Sequence, residues 1–354
     1  MTAPITEHVV RSARHATFYL ACGPEDGPLV VFCHGWPELS ISWRHQLGCL
    51  GALGFRAVAP DMRGYGRSQV HPRHEDYAMP PIVDDMRELL DALRRDAAVW
   101  VGHDWGTPVV WSLASHHPER CLGVAGLCVP YQPEGFAPQT MVPLVDRSLY
   151  PADAYPVGQW DYQLYYLEHF DAACATFEAD PVATVKALFR KGDPASLEKP
   201  NRLASVRRDG GWFGGRGRAP DVPLDRAVLG EAELHQYASA LARNGFFGPD
   251  SWYMNPERNM AYARESLNGG RLLMPVLFLH GAYDNTCETL RSRLAEPMRA
   301  SCDRLTERVV ASGHWMAQEQ PVAVNAALAG WLATELRTHW PGAGGAERAL
   351  QSKA

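Results

Sequence analysis

No stretch of the chain approaches the ~18 consecutive apolar residues of a membrane-spanning helix, which argues against a membrane-embedded protein. Lysine and arginine are scattered, and a net charge of -6 offers no basic patch for nucleic acid or an anionic membrane. The 8 cysteines carry no CxxC spacing, and several fall inside apolar strand-like runs. Neither a zinc site nor a disulfide framework is expected; buried thiols in a reducing cytoplasm are. Residues Met1 to Arg14 lack the apolar core of a signal peptide, so secretion is not expected either. Gly64-Tyr65-Gly66 has no third glycine and leads into a polar loop, which excludes a dinucleotide fingerprint there. No cofactor and no metal are expected, and there is no internal repeat.

What is present is an alternation of short apolar runs with helical patterns. At 354 residues the chain calls for one large domain or a domain with an insertion. Strands are expected at His15 to Ala21, Leu29 to Cys33, Arg56 to Pro60, Ala97 to His103, Leu122 to Val129, Met274 to His280 and Leu305 to Val310. Helices are expected from Ser42 to Leu53, from Pro80-Pro81 to Leu93, from Val109 to His117 and from Pro321 to Thr338. This is an α/β chain with a mostly parallel sheet covered by helices on both faces. From Gly135 to Leu267 the alternation stops, and Pro, Gly and aromatics dominate. Helix-like pieces there (Trp160 to His169, Pro181 to Phe189, Glu231 to Arg243, Pro256 to Leu267) read as a helical cap inserted between strands. The expected division is a core of 1–134 and 268–340, a cap of 135–267 and a flexible tail of 341–354.

The centre of the pattern is Gly102-His103-Asp104-Trp105-Gly106, a strand-to-helix turn of the nucleophile-elbow type with aspartate where serine is usual. An Asp in such a turn can also merely cap the helix. A carboxylate, however, is ionised at neutral pH and can attack carbon, leaving an ester on the enzyme. Asp284 and His314 stand after later strands, giving the order nucleophile, acid, base of α/β-hydrolase triads. His314 would take the proton of the water that hydrolyses the ester, and Asp284 would orient the imidazole. An oxyanion hole needs two N–H donors, expected from Trp36 and Trp105, with Pro37 fixing the Trp36 turn through a cis bond.

His34-Gly35-Trp36-Pro37, Asp61-Met62-Arg63-Gly64-Tyr65-Gly66-Arg67-Ser68, His103-Asp104-Trp105-Gly106 and Gly313-His314-Trp315 resemble the motifs of the α/β-hydrolase-fold epoxide hydrolases of the soluble type. The resemblance covers nearly the whole chain, and the chain is expected to start directly with the hydrolase core, without the amino-terminal phosphatase-like domain of some members. It implies conversion of an epoxide plus water to a vicinal diol through an Asp104 ester, in a detoxifying, cytoplasmic enzyme. It also implies two cap tyrosines over the nucleophile, matched here by Tyr162 and Tyr253. Phenols suit that task because they donate to the opening epoxide oxygen while staying neutral at pH 7. Tyr165 and Tyr166 read better as core packing.

Haloalkane dehalogenases share the aspartate elbow, but many carry Asn where Trp36 stands, and paired tyrosines serve no purpose for a halide. Fluoroacetate dehalogenases use Arg where Trp105 stands. A non-catalytic ligand sensor on this fold is the reading from another class, and it has no missing residue to support it. Cap aromatics (Trp160, Tyr165, Tyr166, Phe170, Trp212, Phe213, Phe246, Phe247, Trp252) suggest an apolar or aryl epoxide as partner. A homodimer stays open.

Overall fold

The computed structural model describes residues 4–342. The apolar runs form strands β1 (Thr6–Arg11), β2 (Ala16–Cys22), β3 (Leu29–Cys33), β4 (Arg56–Pro60), β5 (Ala98–His103), β6 (Cys121–Leu127), β7 (Leu272–Gly281) and β8 (Cys302–Val310). They make one 8-stranded sheet in the order β1-β2-β4-β3-β5-β6-β7-β8. From β4 across to β8 every neighbouring pair is parallel, while β1 and β2 join antiparallel at one edge. Parallel neighbours need crossovers, and the helices supply them.

Side chains alternate along each buried strand, so each strand feeds two cores. Val31 and Trp100 face one side, with Ile82, Val83, Met86, Leu89 and Leu90 of helix α2 (Met79–Ala92) and Val109, Val110 and Leu113 of α3 (Gly106–His116). Val30, Phe32, Val99 and Val101 face the other, against Leu47 and Leu50 of α1 (Arg44–Ala52) and Val324, Leu328 and Leu332 of the last long helix, Pro321–Glu335. Each such fully buried side chain contributes about 1.5–3 kcal/mol.

Several elements differ from the sequence expectation. β1 was not foreseen: it is an exposed edge strand whose Thr, Glu, His and Arg hide any alternation. β8 begins at Cys302 rather than Leu305, because its first residues pair with Leu272 and Pro275 although they are polar. α3 begins at Gly106, directly at the elbow, rather than at Val109. The last long helix ends at Glu335, and a separate turn holds Arg337–His339. Residues 343–354 of the expected tail lie outside the described residues.

Between β6 and β7 the chain is helical. Its longer helices are Asp161–Glu178, Pro181–Leu188, Glu231–Asn244 and Pro256–Ala263. The first runs past its expected end because Ala173, Cys174 and Phe177 continue its buried face beyond a break at His169 (φ -140, ψ 44). The fourth stops at Ala263, and Leu267–Gly270 forms a separate turn. The segment is joined to the sheet through Trp36, whose ring meets Tyr166, Phe177, Trp212, Phe246 and Tyr253 at centroid distances of 5.2–6.5 Å.

Candidate active site

In this sheet the loops after β3, β5, β7 and β8 leave the same carboxyl edge, where open α/β sheets bind ligands. Asp104 follows β5 at φ 48, left-handed backbone that an L-residue adopts only when the surroundings enforce it. The enforcing contact is close packing: a Cβ on Gly106 would lie 2.0 Å from the Cys33 carbonyl oxygen. The Asp104 carboxylate is thereby lifted to the start of α3, where helix N–H groups favour negative charge.

The two carboxylate oxygens have different neighbours. Oδ1 accepts the Trp36 N–H at 2.7 Å. The Trp105 amide nitrogen borders the same spot: a Cβ on Gly35 would sit 2.4 Å from Oδ1 and 2.6 Å from that nitrogen. Oδ2 faces His314 Nε2 at 3.5 Å. The Trp36–Pro37 bond is cis.

His314 Nδ1 donates to Asp284 Oδ2 at 3.0 Å, and Asp284 Oδ1 accepts the N–H groups of Thr286 and Cys287 at 2.9 and 3.1 Å. Burial works against a charged imidazole here, but the Asp284 and Asp104 carboxylates outweigh it and hold His314 well above its ordinary pKa. Asp284 moves the other way: burial opposes its charge, and the imidazolium beside it holds the carboxyl below the usual range.

Asp104, His314, Tyr162, Tyr253 and the Trp36 ring line one cavity of about 360 Å³. The tyrosine rings lie 5.7 Å apart, centroid to centroid. Burial first, and the nearby Asp104 charge after it, push both phenols well above their ordinary pKa. Gln163 Nε2 donates to the Tyr162 hydroxyl at 3.2 Å. Tyr166 stacks on Tyr253 at 4.4 Å and is fully buried. Of the nine aromatics read as pocket candidates, Trp212 is the one among the residues lining this cavity; the cavity's mouth is instead polar, with Arg190, Lys191 and Asp193. Trp160, Tyr166, Phe246 and Trp252 are fully buried and spent on packing, while Phe213 borders a neighbouring cavity of about 560 Å³.

Three acidic or basic groups here were not singled out from sequence. Glu38 Oε2 accepts the Gly35 N–H at 3.0 Å and pairs with His103 Nδ1 at 2.7 Å. Burial opposes the charge on Glu38, and His103 holds its carboxyl down to about 2. His103 Nε2 in turn reaches the His314 carbonyl at 2.7 Å, so the pair ties the Trp36 loop to the His314 loop. Asp250, fully buried, accepts the Trp36 indole N–H at 2.7 Å, and burial pushes its carboxyl well above the usual range. Their positions beside Trp36, Asp104 and Tyr253 in sequence were the available signal.

Among the described residues, one cluster could offer a metal three ligand atoms, from His103, Cys128 and His314, all within 4.8 Å of one another. Those atoms are already engaged: both His103 nitrogens as above, Cys128 Sγ with the His314 carbonyl at 3.2 Å, and His314 Nδ1 with Asp284.

A profile of the alpha/beta hydrolase fold family matches residues 28–321. Epoxide hydrolase A of Mycobacterium tuberculosis is 33% identical over 335 residues, covering 94% of this chain and 98% of that protein. Bifunctional epoxide hydrolase 2 of Rattus norvegicus is 35% identical over 312 residues, 88% of this chain and 52% of that one. The chain thus spans about half the length of such bifunctional relatives. Among solved structures, epoxide hydrolase A from Mycobacterium thermoresistibile superimposes with a TM-score of 0.77 at 31% identity, covering 94% of this chain and 99% of that one. An epoxide hydrolase from an endophytic Streptomyces gives 0.75 at 28% identity, with 93% and 95% covered.

Proposed function

The chain belongs to the epoxide hydrolases of the alpha/beta hydrolase fold, and from that membership we propose that it converts an epoxide and water to a vicinal diol through an ester on Asp104. The observation that carries the reading is the unequal pairing of the two Asp104 oxygens beside two buried phenols. Oδ2, on the His314 side, attacks an epoxide carbon as the ring C–O bond breaks. Tyr162 and Tyr253 donate to the departing oxygen, and one gives it a proton. Oδ1 becomes the ester carbonyl, already in the reach of the Trp36 N–H.

Alkylation removes the charge on Asp104. One of the two carboxylates that raise His314 is then gone, so its pKa falls, its proton passes to the phenolate that the ring opening left, and the imidazole becomes a base. His314 Nε2 takes a proton from water, the hydroxide adds to the Asp104 carbonyl carbon, and negative charge builds on Oδ1. Collapse expels the diol and restores the carboxylate. The proton taken from water leaves His314 an imidazolium again, as it was before alkylation. Asp284 stabilises the imidazolium between these events.

In this reading the helical segment between β6 and β7 acts as a cap over Asp104. A detoxifying role follows from the reaction, which turns an electrophile into a diol. Seven of the eight cysteines are buried, which supports a reducing compartment such as the cytoplasm. No helix among the described residues is long and apolar enough to cross a membrane. The test is product analysis on aliphatic, aryl and terpene epoxides: diol should form with the native chain and not with Asp104→Ala. Equal diol formation by both proteins would contradict the reading.

A further inference from the structure

Asp250 has no exposed surface and stands in the short helix Phe247–Ser251, which leads directly into Tyr253. Burying a carboxyl is costly unless its oxygens are engaged. Oδ1 accepts the Trp36 indole N–H at 2.7 Å, and Cys174 Sγ lies 3.5 Å from Oδ2. Burial holds the acid well above its usual range, against the pull of Trp36 and Cys174 and with a further push from the Glu178 carboxylate, so the protonated form is favoured. The same tryptophan carries the backbone N–H that meets Asp104 Oδ1 at 2.7 Å. The peptide bearing that N–H is gripped at its Gly35 end, where the carbonyl accepts the Glu38 N–H at 2.9 Å and lies 2.9 Å from His34 Nδ1. At its Trp36 end the grip comes from the side chain. Aromatic rings pack around the indole, and its one polar atom is on Asp250. That hydrogen bond adds a direction that apolar packing lacks.

Resting on the epoxide reading above, we propose that Asp250 is a positioning residue for the oxyanion hole: through the indole it fixes where the Trp36 N–H points as charge builds on Asp104 Oδ1. Asp250 and Tyr253 belong to one short stretch. The segment that brings a phenol to the epoxide thereby also sets a donor for the ester. The two chemical steps make different demands on that donor. Alkylation takes charge away from Asp104, whereas water attack on the ester returns charge to Oδ1. A displaced Trp36 N–H therefore slows ester decay and spares ester formation. The task needs an acceptor and no charge, so an amide carbonyl at position 250 serves as well as a protonated acid.

The test follows ester formation and ester decay separately, by rapid quench and intact-protein mass, with the epoxide that the native chain converts fastest among aliphatic, aryl and terpene epoxides. Both are first-order rates within an enzyme molecule, so they do not depend on how much of a variant folds. Removing an oxyanion donor outright costs about a hundred- to a thousandfold; Asp250→Leu displaces one without removing it, so decay should slow by about tenfold while formation stays within about threefold of native. Asp250→Asn should keep both rates within about twofold of native, because the indole retains its acceptor. Trp36→Phe keeps the backbone N–H and lacks the indole N–H, and its decay should slow as in Asp250→Leu. Adding Asp250→Leu to Trp36→Phe should then cost nothing more, since the two residues act as one unit. Native decay in Asp250→Leu overturns the proposal, as does equal slowing of both steps, which marks a general loosening. So does an Asn variant that behaves like Leu, or a double variant in which the two effects add. If Asp250→Leu does not fold, Trp36→Phe decides, and native decay there overturns the proposal. A native chain that forms neither ester nor diol from any of the epoxides overturns the epoxide reading itself.

Discussion

The neighbours of Asp104 give the two oxygens of its carboxylate different partners. Oδ1 sits on the Trp36 N–H at 2.7 Å, and Oδ2 faces His314 at 3.5 Å. The phenols finish the arrangement, and their raised pKa keeps them protonated past the pH at which an ordinary tyrosine ionises. Replacing either Tyr162 or Tyr253 by Phe should slow single-turnover alkylation roughly ten- to a thousandfold, the range for losing one donor in a dry site. Stability should change little, and an unchanged alkylation rate in Tyr253→Phe would remove that residue from the scheme. The histidine makes a second claim at this scale. Asp284 raises the His314 pKa, so Asp284→Asn should lower it, shifting the acid limb of ester hydrolysis to lower pH. Rapid-quench measurement of ester decay against pH would show this; a limb that stays put, or moves up, contradicts the assignment.

At the scale of elements, the loop after β4 explains how the helical segment is held. Arg63 forms two 2.7 Å bonds with Asp85 of α2, both residues being buried. The Arg63 carbonyl accepts the Trp252 indole N–H at 3.1 Å, next to Tyr253 in the chain. The Gly66 carbonyl accepts from Arg243 and Asn244, each at 2.7 Å. Asp61 carries the turn, accepting the N–H groups of Ser40 and Arg67 at 2.9 and 2.8 Å. The Asp61-to-Ser68 motif therefore works as a bracket between the sheet and the tyrosine-bearing segment. Arg63→Ala leaves Asp85 buried with weaker compensation, since Arg14 at 3.1 Å remains. Unfolding free energy should drop by about 3 kcal/mol, the low end for breaking a buried pair. Denaturant titration checks this, and a loss under about 1 kcal/mol would show that the bracket is dispensable.

Across the whole molecule, legibility followed burial. β3, β4 and β5 are covered on both faces, and their unbroken apolar runs could be read almost to the residue. β1 and the start of β8 lie at the sheet's edges, where polar residues pair through backbone alone and leave no pattern. Asp104, Asp284 and His314 were legible because each follows a readable strand. Glu38, His103 and Asp250 were not, since their meaning lies in partners 65, 211 and 214 residues away along the chain. Nor could the sequence show that most of the aromatics between β6 and β7 would turn into packing.

The account's central claim is a covalent ester on Asp104 whose hydrolysis depends on His314. In His314→Gln the nucleophile is intact but the water step lacks its base, so the ester should accumulate. An epoxide loses no atoms when it opens. Intact-protein mass should therefore rise by the full mass of the epoxide, and peptide mapping should place the increment on Asp104. The increment should vanish when Asp104→Ala is added. Diol release with no mass increment, or an adduct on any other residue, would contradict the account.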